Sequence, residues 1–113
     1  MPSFRIDRLS EDIMRELSAL IRERVKDPRV DASTVSIVRT ELSGDGSYCK
    51  VYVSSFNGLE AAKTAVKGLE SASGLLKREV GGSLKMKKCP EFKFIADSSI
   101  EFSAKIDKIL EQK

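Results

Sequence analysis

The spacing of apolar residues alternates along this chain between a helical and a strand period, and the order of those changes restricts the fold more than any single motif does. From Arg8 to Lys26, the residues Leu9, Ile13, Leu17, Leu20 and Ile21 recur at the helical period and form one apolar stripe. Ser10 is a candidate cap for this helix, although Arg5 to Leu9 can extend it backwards. Asp27-Pro28 stops it, because the residue before a proline is disfavoured in the helical region. Thr34 to Leu42 and Tyr48 to Phe56 read as two strands joined through Gly44-Asp45-Gly46-Ser47, which predicts an antiparallel hairpin. In the return strand Cys49, Val51 and Val53 belong to a core face. Tyr48, Lys50, Tyr52 and Ser54 belong to a solvated one, where the tyrosines are read as cross-strand packing rather than base stacking.

Asn57-Gly58 leads into a second helix with Leu59, Ala62, Val66 and Leu69 inward and Lys63 and Lys67 outward. Its small residues permit close packing, and Ala72-Ser73-Gly74 interrupts it. A glycine inside a helix costs about 1 kcal/mol relative to alanine, so Gly74 is expected to mark a bend or a close approach. Leu75, Leu76, Lys77, Arg78 and Val80 continue the helix until Gly81-Gly82 ends it. Ser83 to Ile95 reads as the third strand region, with Lys85 and Lys87 alternating with Leu84 and Met86, and with Phe92 and Phe94 on one face. Pro90 marks an edge, bulge or bend there. A last helix from Ser98 or Ser99, capped by Asp97 or Ser98, carries Phe102, Ile106, Ile109 and Leu110 on one side. The resulting order is α-β-β-α-(kink)-α-β plus a C-terminal helix, an α+β class with one domain over residues 1–113. It is the order of a type II KH-like domain, a small RNA-binding module, with Ala72-Ser73-Gly74 in place of the Gly-x-x-Gly backbone clamp.

Charge supports the same class only through its distribution. Lys and Arg total 20 against 17 Asp and Glu, a net +3, which is too mild to indicate nucleic acid by itself. At about 100° per residue, Arg8, Arg15, Arg22 and Lys26 fall in one row opposite the apolar stripe, while Asp12, Glu16 and Glu23 gather on a flank. With Arg29, the pair Lys77 and Arg78, and the group Lys85, Lys87 and Lys88, they form the candidate RNA-binding set. Trp is absent and aromatics make up 6%, which argues against a stacking sheet of the RNP type. The chain has no His, so imidazole acid–base chemistry is excluded, and Cys49 and Cys89 lack metal-ligand spacing. No catalytic group, metal or cofactor is expected. The two thiols are expected to be reduced core residues in a cytoplasmic protein, with no leader at Met1 to Ile6 and no membrane-spanning run.

Two alternatives compete with RNA binding. A nuclease would recruit Asp27, Asp31, Asp45, Asp97 or Glu101 to metal, but their surroundings read as turns and caps. A protein-interaction module would use the first helix and would show little salt dependence toward RNA.

Several segments together carry a family resemblance. Lys26-Asp27-Pro28-Arg29-Val30 follows the first helix, and Tyr48-Cys49-Lys50-Val51-Tyr52-Val53 forms the return strand. Ala72-Ser73-Gly74 interrupts the helix, and Leu84-Lys85-Met86-Lys87-Lys88-Cys89-Pro90-Glu91-Phe92-Lys93-Phe94 precedes Asp97-Ser98-Ser99. Their order and spacing closely resemble the bacterial ribosome-binding factor A family over essentially the whole chain. The resemblance implies a KH-like fold with an Ala-x-Gly kink. It also implies a non-catalytic factor that binds 16S ribosomal RNA within the free, immature small (30S) ribosomal subunit. Help with late maturation and 5′-end processing of that RNA, support of growth in the cold, a monomeric cytoplasmic protein and contact with other assembly factors are implied with it. Lys85 and Lys87 stand where many relatives carry arginine, which keeps the charge but loses planar, bidentate recognition. The basic C-terminal tail of some relatives is not expected to contribute here.

Overall fold

A computed structural model describes residues 4–100. The last predicted helix begins at Ser99 and Ile100, and its remainder, with Glu101, Phe102, Ile106, Ile109 and Leu110, lies outside the described residues. The elements run α1 (Phe4–Glu23), β1 (Val35–Leu42), β2 (Tyr48–Ser55), α2 (Leu59–Ser71), α3 (Ser73–Ser83) and β3 (Glu91–Asp97). The strands form one sheet in the order β1-β2-β3, with β1 antiparallel and β3 parallel to β2. Parallel neighbours need a long crossover, and α2 with α3 provides it. α1 packs on β1 and α3, while α2 packs on β2 and β3. One apolar core results, joining Ile13 and Leu17 of α1, Val51 and Val53 of β2, Leu69 of α2, and Leu76 and Val80 of α3, all fully buried.

The hairpin contains a bulge that its turn chemistry does not announce. The register passes from Ile37 opposite Val53 to Arg39 opposite Tyr52, leaving Val38 as the extra residue. This insertion reverses which alternate residues face inward. Val35 and Ile37 are buried before it, and Thr40 and Leu42 turn inward after it, so Arg39 and Glu41 face solvent. Thr40 then meets Ser10 of α1, their hydroxyls 2.8 Å apart, and also donates to the Ser10 carbonyl at 2.8 Å. Ser10 is therefore a buried, hydrogen-bonded residue inside a helix that begins before it, not a cap.

The helical interruption falls at Ala72. Its φ and ψ of −90° and 4° leave the helical ladder with no left-handed angle. Its N–H still bonds to Gly68 and Leu69 of α2, and its carbonyl accepts from Leu76 of α3. Gly74 sits one residue inside α3 with open space where a Cβ would be and no positive φ, so neither a strained angle nor a close approach requires glycine there. The close approach occurs instead at buried Gly68. A Cβ at Gly68 would lie 2.6 Å from Val30 Cγ2 and 3.3 Å from both Arg29 Cβ and Asp27 Cγ.

The end of α3 also departs from the expected pattern. Gly81 and Gly82 are both helical, and the helix runs on to Ser83. Lys85 N–H bonds to the Gly82 carbonyl and Met86 N–H to the Gly81 carbonyl, the paired closure of a Schellman motif. The left-handed position of that motif is Lys85 itself, at φ 53°, where glycine is the usual occupant. This reversal turns residues 84–90 into a loop, so Lys85 and Lys87 do not alternate on a strand. Buried Pro90, which has no N–H to donate, sits immediately before β3.

These three positions separate in stability measurements. Gly68→Ala should destabilise by about 1–3 kcal/mol, because the branched Val30 side chain has to shift. Gly74→Ala should leave stability unchanged or raise it by up to about 1 kcal/mol. Lys85→Gly should relieve the left-handed angle, with a gain of at most about 1 kcal/mol since glycine also loosens the unfolded chain. Urea unfolding of the three variants checks the order.

Candidate nucleic-acid interface

The α1 stripe fixes which side of the helix meets solvent, and the opposite side carries the basic row. Arg8, Arg15, Arg22 and Lys26 are all exposed. Arg15 bonds Asp12 at 3.1 Å, but its side chain remains 74% exposed. An exposed pair of this kind holds its partners weakly and leaves the cation available to a phosphate. Two hollows flank the row. One is lined by Glu11, Met14, Arg15, Ser18 and Arg22. The other, of about 260 Å³, lies between the end of α1 and the start of β1 and is lined in part by Ser18, Arg22, Ser33, Ser36 and Phe56. They share Ser18 and Arg22, so Arg15 and Arg22 border one continuous track.

The remaining basic residues are distributed differently. Arg29 donates from Nε and Nη2 to the two Asp27 carboxylate oxygens at 2.9 and 2.7 Å, and from Nη2 to Ser71 Oγ at 3.0 Å. The Asp27 carboxylate also accepts the Arg29 N–H at 2.9 Å. Arg29 thus closes the turn after α1 and ties it to the end of α2, beside Gly68. Hydrogen bonding to Arg29 lowers the Asp27 pKa to about 2. Lys77 is half-buried, pairs with Glu91, and lines a separate hollow with Ser73, Gly74 and Phe92. Arg78 is exposed on α3, next to Glu79, which receives Arg24 of the α1 end at 3.4 Å. Lys85, Lys87 and Lys88 are exposed on the loop before β3.

On the outer sheet face, cations and tyrosines occupy one another. The Arg39 guanidinium lies 4.2 Å from the Tyr52 ring centroid, and Lys93 Nζ lies 4.7 Å from that of Tyr48. Tyr52 also donates to Glu41 at 3.2 Å. One face of each tyrosine is therefore engaged across strands, in keeping with packing rather than a base platform. Neither Arg39 nor Lys93 stands out in the sequence, because the bulge at Val38 decides where Arg39 points and the parallel register decides where Lys93 points.

The carboxylates considered as metal ligands serve turns. Asp31 accepts from Ser33, Asp45 from Ser43 and Ser47, and Asp97 from the Ser99 N–H. Ser47 and Ser43 pull the Asp45 carboxyl down to about 2. Among the described residues no three His, Cys, Asp or Glu side chains are arranged to hold a metal ion, and no helix is long and apolar enough to cross a membrane. Cys49 and Cys89 are free thiols, and burial pushes the Cys49 thiol up to about 11 and raises that of Cys89. Both are protonated and poorly nucleophilic at neutral pH.

Comparison with known proteins places this geometry in context. The sequence profile described as Ribosome-binding factor A matches residues 5–110. Ribosome-binding factor A of Treponema denticola is 48% identical over 89% of this chain and 76% of its own length. That of Caldanaerobacter subterraneus subsp. tengcongensis is 43% identical over 96% and 88%. The crystal structure of ribosome-binding factor A from Thermus thermophilus superposes with a TM-score of 0.69 at 26% identity, covering 80% of this chain and 93% of that one. A Thermus thermophilus homology model fitted into a cryo-EM map of a 30S–RbfA complex gives 0.57 at 25% identity, covering 84% and 93%.

The Asp27–Arg29 pairing carries a pH signature. A carboxyl held at about 2 in the fold, against about 3.9 in an unfolded chain, stabilises fully above the unfolded value and loses its contribution as pH falls through the folded one. Asp27→Asn should therefore be less stable than the parent at pH 6, with a smaller difference at pH 3. Urea unfolding at the two pH values checks this, since Asp45 titrates in both proteins and cancels.

Proposed function

Because this chain belongs to the ribosome-binding factor A family, we propose that it binds 16S ribosomal RNA in the immature small ribosomal subunit and assists its late maturation. The observation that carries this reading is the track bordered by Arg15 and Arg22, two exposed cations on one face of α1 that phosphates can reach. Arg8 and Lys26 extend it, and Arg78, Lys85, Lys87 and Lys88 add exposed charge. Arg29 and Lys77 contribute less, since Asp27 and Glu91 already neutralise them. A parallel β2–β3 pair reached through two helices fits the type II KH-like arrangement, in which the Ala72-Ser73-Gly74 junction takes the place of the backbone clamp. Recognition then rests on phosphates and folded RNA shape rather than on the base sequence of an unstacked segment.

On this reading the protein is a cytoplasmic monomer that works without turnover. It holds the precursor in a form that can be processed at its 5′ end, a demand that grows as misfolded RNA persists in the cold. The fitted 30S–RbfA complex of the Thermus relative supports the choice of partner.

Replacing Arg8, Arg15 and Arg22 together with Glu should leave the fold intact, because all three are exposed opposite the core stripe. Subunit binding should weaken, and the log–log salt slope should shrink by about 1 for each phosphate that is no longer neutralised. Binding measured between low and physiological salt decides the matter. An unchanged slope would remove α1 from the interface and favour the protein-interaction reading.

A further inference from the structure

We propose that the hollow between the end of α1 and the start of β1 receives one unstacked RNA base, with Phe56 as its stacking surface. Phe56 is 60% exposed, more than Tyr48 or Leu59, the other exposed large apolar residues among those described. Its backbone is nonetheless held firmly. The Phe56 N–H bonds to the Thr34 carbonyl at 3.0 Å, while the Asn57 and Gly58 N–H groups bond to the Ser55 side chain and carbonyl. A rigid turn therefore presents a ring that the core does not use. Tyr48 and Tyr52 each have a cation over one face; among the described residues Phe56 has none.

The surroundings suit a nucleotide. The hollow of about 260 Å³ lies below the roughly 300 Å³ at which pockets for drug-sized ligands begin, which matches one planar ring system. Arg22 stands on its wall and on the basic track at once, so a base entering here leaves its phosphate beside the row. Ser18 of α1 also lines it, and its hydroxyl has no protein hydrogen-bond partner among the described residues, so it can donate to or accept from a base edge. Aromatic stacking tolerates any base, so the pocket adds affinity without fixing a sequence.

This inference rests on the RNA-binding reading, and the two fail differently. The chain contains no Trp, so Phe56→Trp supplies a single reporter at the site. Phe56→Ala should bind immature small subunits roughly tenfold more weakly with an unchanged salt slope, whereas Arg22→Gln should flatten the slope. Phe56→Trp should keep the parent affinity, and a short single-stranded oligoribonucleotide should quench its emission. Parent-like affinity of Phe56→Ala would overturn the base pocket while leaving RNA binding standing. Weaker binding of Phe56→Ala with no quenching of Phe56→Trp would assign the ring to a protein contact and also overturn it. A parent protein that binds no subunits would defeat both readings.

Discussion

β3 lies parallel to β2 from Glu91 opposite Tyr48 to Asp97 opposite Ser54, and most of the remaining architecture follows from that pairing. No hairpin can join parallel neighbours, so residues 56–90 must cross the sheet and return. Two helices make the crossing, with the break at Ala72 turning one into the other. α2 can lie close enough only because Gly68 lets the turn at Asp27 to Val30 press against it. Arg29 then fastens that turn to Ser71. The motif Asp27-Pro28-Arg29 is in this way a structural clamp between the end of α1 and the end of α2, although its charge alone suggests RNA.

The sheet and its packing also sort the cations. On the sheet, Arg39 and Lys93 are drawn over Tyr52 and Tyr48, and Lys77 meets Glu91 at the first residue of β3. On α1 the core lies entirely behind the helix, so Arg8, Arg15 and Arg22 face outward. Charge that folding has already paired offers little to a phosphate, because binding would first have to break the existing ion pair. Exposed charge beside a hollow can release counterions at no such cost. On the proposed reading, the helix rather than the sheet is accordingly the surface that a polyanion would meet.

The hairpin, the α1 stripe and the inward set Cys49, Val51 and Val53 are legible in the sequence, since a single local period fixes each of them. What escapes it depends on contacts distant in the chain. Gly68 looks like one small residue among many, and only the approach of Val30 distinguishes it from Gly74. The third strand begins at Glu91 rather than Ser83 because Lys85 adopts a left-handed angle that composition would assign to Gly81 or Gly82. The bulge at Val38 does leave a trace: the apolar positions of β1 change from odd to even between Ile37 and Thr40. Phe56 reads from sequence as the last residue of a strand, and its exposure follows from the turn that Thr34 and Ser55 enforce.

A factor without turnover can alter ribosomal RNA only by binding one of its conformations better than another. Differential affinity, rather than affinity itself, is therefore what the proposed role requires. Dissociation constants for immature and mature small subunits, determined at one salt concentration, test this most directly. Distinctly tighter binding to the immature subunit is the predicted result, while equal affinity for the two would contradict the proposed role.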